Sequence, residues 1–138
     1  MEKFVSIERA IEIARQTTLQ FNVESIPIQE SFHRILAEDL PSKVDDPAFD
    51  NSAMDGWAVR SEDTTRTEVG QTSAGDKAGR IGPGEAIRIM TGAPIPEGAD
   101  AIVMVEDGLQ GEARPHFIRH QGENLRKGEV ALSKGQLM

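Results

Sequence analysis

Apolar residues recur every three or four positions at the start of the chain, and every second position or in short runs further on. Ile7, Ala10, Ile11 and Ala14 follow i, i+3, i+4, i+7 spacing, with Ile13 at the margin, and form one stripe of a helix. Glu8, Arg9, Glu12, Arg15 and Gln16 occupy most of the other face, and Ser6 is placed to cap the first turn. The pattern predicts a helix from residue 6 to about residue 19. Past that point the helical period is lost. Residues 24–29 read as a short edge strand containing Pro27, 31–33 as a turn, and 34–40 as a second strand stopped by Pro41. Residues 44–56 read as loop, since Pro47 interrupts any helix. Trp57 opens a strand to Arg60, and the polar, Gly-rich stretch 61–84 reads as short strands and exposed loops. Residues 85–90 alternate as a half-buried strand, 91–98 carry two Pro and two Gly and are irregular, and 101–105 form a wholly apolar strand. The tail holds two further apolar segments, 117–119 and 130–132, the second followed by a turn at Lys134-Gly135. One helix followed by many short strands makes the fold α+β with a β-rich middle.

Composition narrows the partners. The 138 residues suit one domain or two small lobes. With 13 Gly, 7 Pro and few aromatics, the core is expected to be thin and the isolated stability modest, so that a partner chain or further domain supplies the rest. Acids outnumber bases, 23 to 15, for a net charge of −8. That balance argues against nucleic acid or an anionic membrane as main partner, both of which need clustered Lys and Arg. It leaves room for a small anionic ligand, because one local cation reverses the sign of a pocket. The absence of cysteine removes disulfides, thiolate metal sites and a cysteine nucleophile, and fits a reducing cytosol. No apolar run approaches the roughly 18 residues of a membrane span, and Met1-Glu2-Lys3-Phe4 opens no signal-peptide core. The expectation is a soluble, cytoplasmic protein.

Candidate chemistry concentrates in Asp50-Asn51-Ser52-Ala53-Met54-Asp55-Gly56-Trp57-Ala58-Val59-Arg60, with Asp45 and Asp46 just upstream. Asp50 and Asp55 on one short loop suit half a Mg²⁺ site, since Mg²⁺ takes one or two carboxylates together with ligand phosphates. The same residues suit an Asx-turn at Asp50-Asn51 and a β-turn at Asp55-Gly56. Both readings stand at this level. The spacing is not that of an EF-hand. Thr91-Gly92 follows a strand: Gly permits close backbone approach to a ligand, and the Thr91 hydroxyl can reach a phosphate or a metal-bound water. A rigid two-proline connection between strands explains the same segment. Ser52 lacks a nucleophile elbow and reads as a turn residue or ligand contact. His33, His116 and His120 are scattered, without zincin spacing.

Both segments resemble the signatures of the molybdopterin molybdenumtransferases, the MoeA and gephyrin E-domain family. The first is Asp50-Asn51-Ser52-Ala53-Met54-Asp55-Gly56-Trp57-Ala58. The second is Arg88-Ile89-Met90-Thr91-Gly92-Ala93-Pro94-Ile95-Pro96-Glu97-Gly98-Ala99-Asp100-Ala101-Ile102-Val103. Arg34-Ile35-Leu36-Ala37-Glu38-Asp39 and Gly122-Glu123-Asn124-Leu125-Arg126 add to the likeness. The resemblance implies a helix at 1–20, a stalk-like dimerisation lobe from 21–43 and 117–138, and an inserted β-rich, barrel-like lid at 44–116. It implies an enzyme that inserts molybdate into adenylylated molybdopterin with Mg²⁺ assistance and works as a homodimer. Asp55 and Thr91 match active-site positions, Ser52 and Gly92 follow as ligand contacts, and Asp50 joins Asp55 as a metal ligand. Family members carry about two further domains, one holding most of the molybdopterin site, so this chain is expected to be catalytically incomplete. A short, non-enzymatic relative acting as a dimerisation or ligand-binding module is the alternative. Three departures stand out: His33 where the family has Gly, implying a different local turn; Trp57 in place of Tyr; and a shortened segment 124–136, which bears on the last strand of the stalk.

In the family the first helix packs on a domain outside this sequence, so the stripe of Ile7, Ile11 and Ala14 is expected to lack its cover. Hydrogen exchange on the monomeric chain should then show weak protection from residue 7 to residue 14. Strong protection there would mean that the chain covers the helix by itself.

Overall fold

The computed structural model describes residues 4–17 and 22–138. The chain divides into two compact units, residues 1–37 with 135–138 and residues 38–134.

In the first unit, helix α1 spans Ile7–Gln16. Ser6 caps it, its Oγ accepting the Arg9 N–H at 3.3 Å, and Thr17 ends it in extended backbone. The helix runs past its apolar stripe to Gln16, and the expected end near residue 19 lies outside the described residues. None of its residues is buried: Ile7 is 76% exposed and Ile11 47%. The strand expected at 24–29 does not form; Ile28–Glu30 is a 3-10 turn instead. Pro27 precedes it and offers no N–H to a ladder. Of the strand expected at 34–40, this unit keeps an isolated bridge between Ile35 and Leu137. Around it, the His33 N–H donates to the Met138 carbonyl and the Met138 N–H to the Arg34 carbonyl, both at 2.9 Å. His33 has a φ of +62°, so the turn keeps the left-handed conformation that glycine adopts freely, and an L side chain bears it at some cost.

The second unit holds the sheets. Strand β1 (Leu40–Pro41) pairs with β8 (Val130–Leu132), and β2 (Asn51–Ser52) with β7 (Ile118–Arg119), both antiparallel. The last strand, β8, therefore forms within the segment 124–136. The main sheet contains β3 (Gly56–Val59), β4 (Thr67–Thr72), β5 (Glu85–Ile89) and β6 (Ala101–Met104) in the order β4-β5-β3-β6. β3 runs antiparallel to both neighbours, and β4 runs parallel to β5. Among the described residues this sheet is open rather than a closed barrel. β4 forms one edge with mostly exposed residues, and β6 is flanked only by a single bridge from Ile102 to Arg114. The described residues thus hold one α-helix and several small sheets.

Side chains alternate between the faces of a strand, so the main sheet carries two small cores. Ala58, Ile89, Ala93, Ile102 and Ile118 pack on one face, with Met54, Ile95, Ala99 and Phe117 around them. Val59, Ala86, Ala101 and Val103 pack on the other, with Trp57, Leu109 and Ala113. Pro96 apart, the buried apolar side chains are all Ala, Val or Ile, so little area is removed from water per residue.

Gly56 sits where β3 meets β6. A Cβ there would stand 1.9 Å from the Val103 carbonyl oxygen. The strands can approach this closely only without a side chain, and the obstacle is backbone that cannot rotate away. Gly56→Ala is expected to destabilise the chain by about 3 kcal/mol or more, read as a lower urea midpoint. A midpoint equal to that of the parent chain would show that β3 and β6 separate without loss.

Candidate functional site

Strand register brings the two motifs together. Gly56 pairs with Ile89 across β3 and β5. Asp55 lies just before the start of β3, and Thr91 just past the end of β5, so the pairing places them side by side. The Thr91 N–H donates to Asp55 Oδ1 at 2.8 Å, and the Thr91 hydroxyl donates to the same oxygen at 2.8 Å. Backbone bonds lock the flanking loops. The Ser52 N–H donates to the Ala93 carbonyl at 3.0 Å, the Gly92 N–H to the Ser52 carbonyl at 2.8 Å, and the Ile95 N–H to the Asp50 carbonyl at 3.0 Å. Gly92 has a φ of +80°, a backbone that turns the chain back toward Ser52 and suits glycine.

Asp55 is exposed, and donors from one residue saturate one of its oxygens. Both bonds from Thr91, backbone first, hold its carboxyl below the ordinary aspartate range, and the Arg88 charge adds to them. Its Oδ2 has no hydrogen-bond donor among the described residues. Arg88, the cross-strand partner of Trp57, lies with its guanidinium carbon 4.5 Å from the indole centroid. The indole N–H donates to Glu68 Oε2 at 2.7 Å. This Glu68–Trp57–Arg88 arrangement is not legible in the sequence, because Glu68 and Arg88 reach Trp57 only through β4–β5 and β3–β5 pairing.

The other acids of the motif face elsewhere. Asp50 Oδ1 accepts the Gln121 N–H at 2.7 Å, and its Oδ2 lies 3.1 Å from His120 Nδ1. Asp45 accepts from the Lys127 N–H and the Gln121 amide, each at 2.8 Å, and Asp46 from the Asn124 amide at 2.9 Å. Three of the four aspartates thus bind the segment 120–127, and only Asp55 turns to Thr91. Ser52 is 1% exposed. Its hydroxyl donates to the Met54 carbonyl at 2.6 Å and accepts the Met54 N–H at 3.3 Å, which makes the turn between β2 and Asp55.

Among the described residues, no three His, Asp or Glu side chains converge as a metal-ligand group. A cleft of about 740 Å³ opens elsewhere, lined by Arg60, Arg80, Glu85, Glu97 and Asp100 among others, and includes neither Asp55 nor Thr91. Several of its charges are already matched: Arg60 pairs with Glu62, Glu85 accepts the Gly82 N–H, and Asp100 accepts from Ser61. We therefore place the candidate site at Asp55–Thr91 rather than in that cleft. No described helix is long and apolar enough to cross a membrane.

Comparison with known proteins follows the same residues. The family model described as the MoeA N-terminal region (domain I and II) matches residues 5–138. The molybdopterin molybdenumtransferase of Synechococcus elongatus is 41% identical over 96% of this chain and 38% of its own length. That of Haemophilus influenzae is 39% identical over 90% of this chain and 34% of its own. A crystal structure of the molybdopterin biosynthesis MoeA protein of Pyrococcus horikoshii OT3 superposes with a TM-score of 0.75 at 37% identity, covering 83% of this chain and 35% of that one. The chain thus spans little more than a third of the length of these relatives.

Asp45, Asp50 and Asp55 all have lowered carboxyl pKa values, each mainly because a backbone N–H donates to it, from Lys127, Gln121 and Thr91 respectively. A carboxylate depressed in the folded chain contributes stability above its unfolded pKa, and that contribution is lost as pH falls through the folded value. Stability should therefore hold at neutral pH and be lost as pH falls below the ordinary aspartate range. Asp45→Asn should lower the urea midpoint at neutral pH and flatten the acid slope. An unchanged slope would remove Asp45 from the set of linked groups.

Proposed function

The chain belongs to the MoeA N-terminal region family, and from that premise we propose that it supplies one half of an active site for molybdenum cofactor biosynthesis. The reaction we assign to the complete protein is insertion of molybdate into adenylylated molybdopterin, assisted by Mg²⁺, in a cytoplasmic homodimer. The names of its relatives, molybdopterin molybdenumtransferase, support the molybdopterin chemistry. The chain corresponds to 38% or less of these two relatives' length. The rest of the site is assigned to residues outside it, and the chain alone to an incomplete catalyst. We retain the lid and stalk division as part of this reading, with 44–116 as the lid, and 21–43 and 117–138 as the stalk that contributes to dimerisation.

The observation that carries the reading is the Asp55 carboxylate. Thr91 fixes one of its oxygens with two donors, leaving the other without a protein donor on an exposed edge. A hard, oriented carboxylate oxygen that stays ionised to low pH fits Mg²⁺, which takes few protein ligands and fills its remaining positions with water and phosphate oxygen. Asp55 would hold the ion, and Asp50 would support it. Asp50 spends its oxygens on Gln121 and His120, and so holds the loop that presents Asp55. When bound, Mg²⁺ supplies charge neutralisation at a phosphorylated substrate. The chain's own residues orient. Thr91 aims the carboxylate, Gly92 brings backbone close to the ligand, and buried Ser52 shapes the turn beneath it, so its contribution to ligand binding would pass through that turn.

In a protein carrying this region together with the remaining length of its relatives, Asp55→Ala is expected to lower molybdate insertion on the order of 10²-fold or more. That corresponds to a few kcal/mol of transition-state stabilisation. The 138-residue chain alone should show no insertion. Unchanged turnover in the variant rejects the role of Asp55. Turnover by the isolated chain rejects its assignment as half of a site.

A further inference from the structure

Arg88 stands out among the arginines. Arg9, Arg34, Arg60, Arg114 and Arg119 pair with carboxylates, and buried Arg66 donates to the Leu109 and Gly111 carbonyls. Arg15, Arg80 and Arg126, for which no ion pair forms among the described residues, are exposed, so water satisfies them. Arg88 is half-buried, and its guanidinium makes neither a hydrogen bond nor an ion pair among the described residues. It is held by other means. The Trp57 indole lies against it at 4.5 Å, and Glu68 anchors the indole through its N–H at 2.7 Å. The ring lies against the guanidinium, whose rigid fork of N–H donors has no protein acceptor among the described residues. Trp presents the strongest aromatic face to a cation, and here it stands where the family signature has Tyr.

Asp55 lies two residues before Trp57, and Arg88 two before Met90, at the same end of the β3–β5 pair. Trp57 pairs with Arg88 in that register, yet Arg88 makes no bond to Asp55 among the described residues. Thr91 takes that carboxylate instead. The site therefore holds a carboxylate and a guanidinium that have not cancelled each other, one suited to a cation and the other to an anion.

We propose that Arg88 is the anion-receiving residue of the Asp55–Thr91 site, its guanidinium taking the oxygens of a tetrahedral oxyanion while Trp57 and Glu68 hold it in place. This rests on the function proposed above, and it adds a ligand-contacting residue. Phosphate ester and molybdate share that chemistry. Arg88 would bind two oxygens of either with a charge-assisted, forked pair of hydrogen bonds.

Trp57 is the one tryptophan of the chain, so its fluorescence reports on the site directly. The 138-residue chain is titrated with sodium molybdate and, separately, with AMP, at constant ionic strength and with Mg²⁺ in the buffer. Indole emission is followed, together with the Arg88 Nε–H and Trp57 Nε1–H resonances. A saturable change is expected with at least one anion, and the anion that elicits it identifies the source. Arg88→Met should weaken that binding about tenfold or more, and Arg88→Lys roughly threefold, since it keeps the charge but not the fork. Arg88→Gln serves if the Met variant does not match the parent urea midpoint. Equal affinity in a folded Arg88→Met or Arg88→Gln chain, or no saturable response to either anion, overturns the proposal. A titration that ignores Arg88 while Asp55→Ala still abolishes turnover sinks this inference alone. An Arg88-dependent titration with turnover indifferent to Asp55 sinks the functional reading and leaves the anion site.

Discussion

The pairing of Gly56 with Ile89 carries Asp55 to Thr91, and the site follows from that register. Because side chains alternate along a strand, a one-residue slip would send Ala58 and Ile89 off their core face and carry Thr91 away from the carboxylate. The register is held from both sides. Ala58, Ile89 and Ile102 pack on one face, Val59, Ala101 and Val103 on the other, and Gly56 lets β6 close against β3. The chemistry at the sheet's end thus depends on a small apolar core immediately behind it.

The acidic excess has a structural use. Asp45, Asp46 and Asp50 are spent on N–H groups and amides of the segment 120–127, a stretch with no strand of its own. Carboxylate oxygens accept more than one hydrogen bond, so a few aspartates organise a long irregular segment where apolar contacts are sparse. The chain has few large apolar side chains to bury, and charge-assisted bonds between distant loops take over part of the ordering. The dense polar motif is therefore two things at once: a scaffold through three of its aspartates, and a candidate site through the fourth.

Electrostatics divides the site from its surroundings. The chain carries a net charge of −8, which disfavours free anions at long range. At the end of β3 and β5 the balance is local, with Asp55 ionised and fixed by Thr91, and Arg88 resting on Trp57 without a carboxylate of its own. Short-range, oriented groups decide what binds there, more than the overall charge does.

The sequence by itself determined the local elements whose signals are short-range. These were the first helix with its Ser6 cap, the strands at 57–60, 85–90 and 101–105, the irregular two-proline segment, and the two motifs with Asp55 and Thr91 in them. It misjudged 24–29 and most of 34–40, where β-branched and apolar residues suggested strands but no partner strand completes a ladder. It also left open whether each aspartate made a turn or a site, since Asp serves both equally well within its own loop. Only the tertiary structure decided that, by fixing which donors each carboxylate meets. Residues 36 to 82 positions apart in sequence supply those donors to Asp55, Asp50, Asp46 and Asp45. Partners so distant leave no periodic trace in the chain, and they meet only once strand pairing has set the register.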